Sequence, residues 1–202
     1  SVFKTFTVAA GLENKIINSN TMFNNLESSL TCDKYTISEH DKLPKNLSAE
    51  QILIRSSNIG VVRIAQKVGT KKYKDFLNSL ELFNTINFDL EEIGTPIPFK
   101  WGKCKLETAS YGHGITTTPL QLARAYAILG NGGYKITPSI LKKDIKSLEK
   151  REQIISDDGE VSIDCYSLKT NIRNLFNGRI EEFRIEIGED EKMAKSMIYC
   201  LT

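Results

Sequence analysis

Hydrophobic positions along this chain recur mostly at the three-to-four-residue interval of a helix, with short strand-like pieces between them. From Ser1 to Leu12, Phe3, Phe6 and Ala10 fall on one helical stripe, while Val2 to Val8 is rich enough in β-branched and aromatic residues to suit a strand. The run of small and apolar residues from Val8 to Leu12 tips the reading toward a helix. Between Asn18 and Asn46 the pattern dissolves into a polar surface excursion around pieces such as Tyr35-Thr36-Ile37.

Periodicity returns at Ser48, which forms a capping-box pattern with Gln51 ahead of Ile52, Leu53 and Ile54 and predicts a helix ending near Arg55. Ile59, Val62, Ala65 and Val68 predict the next helix, stopped by Gly69. Ser56 and Asn58 are thereby placed in a turn between two helices. Thr70 reads as the N-cap of an amphipathic helix carrying Tyr73, Phe76, Leu77 and Leu80. Pro96 and Pro98 make Phe83 to Phe99 a loop, and Trp101 to Lys105 shows no clear period. A glycine-rich turn, Tyr111-Gly112-His113-Gly114, leads into Thr118 and Pro119, a cap and a first-turn proline. The helix they open carries Leu122, Ala125, Tyr126 and Leu129, stops at Gly130-Asn131-Gly132-Gly133, and is followed by a strand start at Tyr134-Lys135-Ile136.

Composition adds exclusions. With 202 residues, 40% hydrophobic and 26% charged, the chain can bury a core and is one domain or part of a larger protein. A net charge of +2, with no basic cluster interleaved with aromatics, argues against nucleic acid as a partner. No apolar run approaches a membrane span, and no signal peptide is visible. Cys32, Cys104, Cys165 and Cys200 are widely scattered and read as free, mostly buried thiols. Neither metal-type spacing nor a cofactor motif is present, so no metal and no cofactor is expected.

Chemistry enters at Ser1 and Lys4. On a helix, residues three apart share a face, and a lysine held neutral by apolar surroundings can take the proton of a serine nucleophile. Phe3, Phe6, Val8, Ala9 and Ala10 offer such surroundings. The spacing alone is weak evidence, since Ser147-Leu148-Glu149-Lys150 repeats it in a charged stretch. Taken singly, Ser56 or Asn58 reads as a helix cap and His113 as a loop histidine.

Ser1-Val2-Phe3-Lys4, then Ile54-Arg55-Ser56-Ser57-Asn58-Ile59-Gly60, then Tyr111-Gly112-His113-Gly114 running into Thr118-Pro119-Leu120-Gln121-Leu122-Ala123-Arg124-Ala125-Tyr126, stand in an order that resembles the transpeptidase domain of class B penicillin-binding proteins. The division-type septal peptidoglycan D,D-transpeptidases are the nearest likeness. The resemblance covers about Ser1 to Lys142 and implies an α/β (α+β) fold with helices packed on an antiparallel sheet, incomplete at both ends. It implies Ser1 as the acyl-accepting nucleophile and Lys4 as its base. Ser56 would pass a proton to the leaving amine, Asn58 would hold Lys4 and bind substrate amides, and His113 would lie on the substrate side. The implied partners are peptidoglycan stem peptides, β-lactams and, for the parent protein, division or cell-wall synthesis proteins. The parent would be anchored in the cell membrane with this domain in the periplasm.

The C-terminal end departs from that pattern. The family needs a Lys-Thr-Gly or Lys-Ser-Gly strand beside the nucleophile, and the nearest string is Lys169-Thr170-Asn171. Residues 1–142 are therefore expected to form a partial transpeptidase domain. Residues 143–202 are expected to be an unrecognised tail, charge-dense from Glu181 to Lys192, out of frame or poorly folded. Loss of one oxyanion donor costs on the order of 10²–10³ in turnover, so impaired catalysis is expected. Two other classes fit less of the chain: an N-terminal-nucleophile hydrolase with Ser1 as a true terminus, and a non-catalytic interaction module on the same scaffold.

Overall fold

A computed structural model describes residues 2–90, 94–140 and 152–156. Ser1, the Ser147–Lys150 string, Lys169-Thr170-Asn171, the acidic stretch 181–192, Cys165 and Cys200 lie outside them. The described elements run α1 (Lys4–Glu13), β1 (Met22–Phe23), β2 (Ser29–Cys32), β3 (Tyr35–Ser38), β4 (Leu47–Ser48), α2 (Ala49–Ile54), α3 (Asn58–Val68), α4 (Thr70–Ser79), α5 (Lys105–Ser110) and α6 (Pro119–Gly130). Helices and antiparallel strands together give the expected α/β class. The described strands form two small sheets, β1 with β4 and β2 with β3, in which Phe23 faces Leu47 and Cys32 faces Tyr35.

The helix predicted at the start of the chain is the centre of the core. Every residue from Lys4 to Gly11 of α1 is buried, and the helix packs against α3, α4 and α2. Phe6 is fully covered, its ring 5.3 Å from Phe3 and 5.0 Å from Tyr126. The α2–α3 approach is close enough to need Gly60, where a Cβ would lie 2.6 Å from Ile52. Both capping boxes form as local chemistry dictates: Ser48 with Gln51 at α2, and Thr118 with Gln121 at α6, where Pro119 takes the first helical position.

Three expectations need correction. The cap of α4 is Gly69, not Thr70, because Gly69 (φ 82°) both ends α3 and begins α4, leaving Thr70 as the first helical residue. The strand start at Tyr134 amounts to a single bridge to Gln153, flanked by Lys135 N–H to Glu152 O (2.8 Å) and Ile154 N–H to Gly133 O (2.8 Å). Gly133 is needed there, since a Cβ would lie 2.4 Å from the Ile155 carbonyl oxygen. Lastly, Cys32 and Cys104 are not free thiols. They form a disulfide, Cα atoms 5.8 Å apart, joining the β2–β3 hairpin to the start of α5. Spacing cannot reveal a bond whose partners meet only because the hairpin folds over the 100–105 segment. An ion pair between Lys103 and Asp33 (2.9 Å) reinforces the join.

No helix among the described residues is long and apolar enough to cross a membrane. The disulfide closes a loop of sequence separation 72, so its removal is expected to lower the unfolding free energy by about 4 kcal/mol on loop-entropy grounds. Urea unfolding of the oxidised chain and of a Cys32→Ser/Cys104→Ser variant checks this. Equal midpoints and slopes would show that the join contributes nothing.

Candidate functional site

Hydroxyl groups fix α1 at its start and middle. Tyr126 donates its hydroxyl to the Val2 carbonyl oxygen (2.5 Å) and lies 3.1 Å from Thr5 Oγ1. Thr7 donates to the Ser110 carbonyl oxygen (2.7 Å) and pairs with the Tyr73 hydroxyl (2.7 Å). Burial drives both tyrosine pKa values well upward, so both remain neutral phenols. The first turn of α1 is thereby held against α4, α5 and α6.

Lys4 leaves this turn almost wholly buried, 3% exposed. Its Nζ donates to the Ser56 carbonyl oxygen and, at 2.9 Å, to Ser56 Oγ. Desolvation lowers the Lys4 pKa to about 8, against an opposing upward pull from the Glu39 carboxylate. A large share of the side chain is therefore neutral just above physiological pH. That is the state a general base requires.

The position of Ser56 follows from how α2 ends. Ser56 N–H bonds to Leu53 O (3.0 Å) and Ser57 N–H to Ile52 O (2.9 Å), the paired bonds of a Schellman stop. Ser56 occupies its left-handed position (φ 55°), where glycine is usual and a serine costs about 1 kcal/mol or more. That conformation presents both the carbonyl and the hydroxyl of one residue to one ammonium. The next residue starts α3: Ser57, not Ser56 or Asn58, is the N-cap, its Oγ accepting from Gly60 N–H (2.8 Å).

Glu39, just past β3, accepts from Ser57 Oγ (2.5 Å), Asn58 N–H (2.7 Å) and Ile59 N–H (3.0 Å). Asn58 donates its side-chain amide to the Ser38 carbonyl oxygen (2.8 Å), whereas the described bonds of Lys4 go to Ser56. His113 is exposed in the turn after α5, its N–H on Thr108 O (2.9 Å) and its ring 6.0 Å from that of Tyr111. The structure thus brings Lys4 and Ser56 into contact, with Asn58 two residues on at the start of α3, its side chain bonded to the hairpin. Helical patterning gave no sign of Ser57, Glu39 or α5. Ser57 had a local signal, a serine three residues before a glycine N–H at a helix start, while Glu39 had none. Among the described residues, no group of three or more His, Cys, Asp and Glu is placed to hold a metal ion.

This scaffold is that of a transpeptidase domain. The chain superposes on a peptidoglycan glycosyltransferase from Burkholderia ambifaria with a TM-score of 0.73 at 21% identity, over 85% of this chain and 54% of that one. It also superposes on the TP domain of penicillin-binding protein 3 from Burkholderia pseudomallei (TM-score 0.71, 19% identity, 88% and 51% covered). Its sequence matches the penicillin binding protein transpeptidase domain over residues 1–165, and the chain belongs to that family. It is 31% identical over 144 residues to the probable peptidoglycan D,D-transpeptidase FtsI of Caulobacter vibrioides (71% of this chain, 24% of that protein). To the peptidoglycan D,D-transpeptidase FtsI of Buchnera aphidicola subsp. Baizongia pistaciae it is 35% identical over 154 residues (74% and 26%). The chain spans about a quarter of the length of these curated relatives.

The lowered lysine pKa has a thermodynamic signature. Unfolded, Lys4 regains its ordinary pKa near 10.4; folded, it sits at about 8, so between these values the unfolded chain binds more protons. Stability contributed by this group is therefore expected to rise as the pH passes from about 8 to about 10.4. Urea unfolding across that range should show a steeper rise for the parent chain than for Lys4→Met. Parallel curves would mean that Lys4 keeps an ordinary pKa when folded.

Proposed function

We propose that this chain carries the acyl-transfer site of a peptidoglycan D,D-transpeptidase, with Ser1 as nucleophile and Lys4 as its base. The observation that carries the reading is the buried Lys4 ammonium, one helical turn from Ser1 in sequence, docked on both oxygens of Ser56 and pushed toward neutrality. In this reading the Ser1 hydroxyl oxygen attacks the carbonyl carbon of the penultimate D-alanine while its proton passes to Lys4. The tetrahedral adduct collapses by breaking the bond to the terminal D-alanine nitrogen. The proton returns from Lys4 through the Ser56 hydroxyl to that leaving amine.

The ester left on Ser1 is then attacked by the amino group of a neighbouring stem peptide. A new amide forms, the ester bond breaks, and the proton lost by the amine returns to Ser1. A β-lactam follows the first half of this path, its ring amide opening onto Ser1. Asn58, beside Ser56 at the start of α3, and His113, in the exposed turn after α5, are assigned to the substrate side. The Cys32–Cys104 bond supports placing the working domain outside the reducing cytoplasm, in the periplasm, with the parent protein anchored in the membrane and acting beside other cell-wall synthesis proteins.

These 202 residues contain no Lys-Thr-Gly or Lys-Ser-Gly string, and a chain without that motif is expected to be acylated slowly, by roughly 10²-fold or more against a domain that has it. A labelled penicillin followed by mass mapping of the peptide bearing Ser1 tests both parts. Label on Ser1 that disappears in Lys4→Ala supports the assignment. No label on Ser1 after long incubation defeats it, while labelling as fast as a motif-bearing domain defeats the impairment alone.

A further inference from the structure

Of the residues that tie the hairpin to the site, Glu39 belongs to no motif in the sequence. We propose that Glu39 is a positioning residue of the acyl-transfer site, its carboxylate clamping the Ser56–Asn58 junction and so setting where Ser56 meets Lys4. The proposal rests on the transpeptidase reading above.

Three donors converge on this one carboxylate. Oε1 takes the Ser57 hydroxyl (2.5 Å) and Ile59 N–H (3.0 Å), and Oε2 takes Asn58 N–H (2.7 Å). With Ser57 Oγ accepting from Gly60 N–H, the amides of Asn58, Ile59 and Gly60, which no helical carbonyl serves, are all partnered. A negative charge at that end of an eleven-residue helix is also favoured by the helix dipole. A glutamine side chain in the same place offers one carbonyl oxygen where two carboxylate oxygens now accept, and it carries no charge.

The clamp is itself held. Glu39 N–H bonds to Ser28 O (3.0 Å), and its strand, β3, pairs with β2 in fixed register from Ser29 opposite Ser38 to Cys32 opposite Tyr35. The far end of the same hairpin is tied to the chain ahead of α5 by the disulfide and by Lys103 on Asp33. What it holds is strained: Ser56 sits in the left-handed region with both oxygens on Lys4. If the α3 start loosens, Ser56 can relax toward an ordinary conformation and lose that double contact. Glu39 also acts on Lys4 at a distance, its negative charge favouring the ammonium against the burial that disfavours it.

Position and charge then leave opposite marks, which a purely structural role would not. In Glu39→Gln, the plateau rate of Ser1 acylation by a fluorescent penicillin at high pH is expected to fall about tenfold or more, because Ser56 is less well placed. The rising limb of the same pH profile, set by Lys4, is expected to move to lower pH because the charge that holds the proton on Lys4 is gone. Glu39→Asp, which keeps the charge on a shorter arm, should restore the limb and part of the plateau. Melting temperatures of the three 202-residue chains check that each is folded. In parallel, the Lys4 side chain is titrated by NMR of its ε-carbon, and its midpoint should drop in Glu39→Gln but not in Glu39→Asp.

A plateau within twofold of the parent and an unmoved limb would overturn the proposal. If the parent chain takes no label at all, the transpeptidase reading fails separately. The NMR midpoints then decide Glu39 alone: a drop confined to Glu39→Gln supports its hold on Lys4, and an unchanged midpoint overturns it.

Discussion

Burying an ammonium is among the more costly acts in a protein core, and the Lys4 side chain imposes that cost at the centre of this one. The helix that carries it is covered from Lys4 to Gly11, so the charge has little access to water, and its donors find oxygen on the folded chain. Ser56 supplies two oxygens from a single residue. The left-handed Ser56 at the junction between α2 and α3 meets that demand, and Glu39 and Ser38 of the hairpin hold the α3 start beside it. The tyrosine and threonine hydroxyls around α1 then fix the depth at which the ammonium sits.

Ser56 accepts a conformation in which glycine would be more comfortable. A glycine there would close the helix equally well and keep the carbonyl contact, but would remove the hydroxyl that faces Lys4. Local stability is given up for a polar atom at the site, the pattern expected where chemistry rather than packing chooses the residue.

Much of this was legible from the chain because it is local. A serine and a glutamine three apart at the start of α2, a threonine and proline at α6, and apolar residues at helical spacing through α3 all act within one or two turns, and each element formed where its pattern lay. The family likeness rested on the same short strings, and two of them lie in contact in the fold through Lys4 and Ser56, while Asn58, expected to hold Lys4, turns its side-chain amide to Ser38. What escaped was contact between distant segments. Glu39 meets Ser57 only after the hairpin folds, and Cys32 finds Cys104 across a sequence separation of 72. The α5 helix was missed because its cap, Cys104, has a left-handed backbone and no capping side chain, so no pattern announces its start.

The disulfide also changes the topology of the chain. The closed loop from Cys32 to Cys104 contains α2, α3, α4 and the whole Ser56–Asn58 junction, whereas Lys4 lies on the free arm before it. Within that loop runs the proline-bearing stretch after Phe83, with Ile97 mostly exposed. A protease cutting once there would open a ring rather than divide a string. Both pieces would stay covalently joined, the one bearing Lys4 and Ser56 tethered through Cys32 to the one bearing α5 and α6.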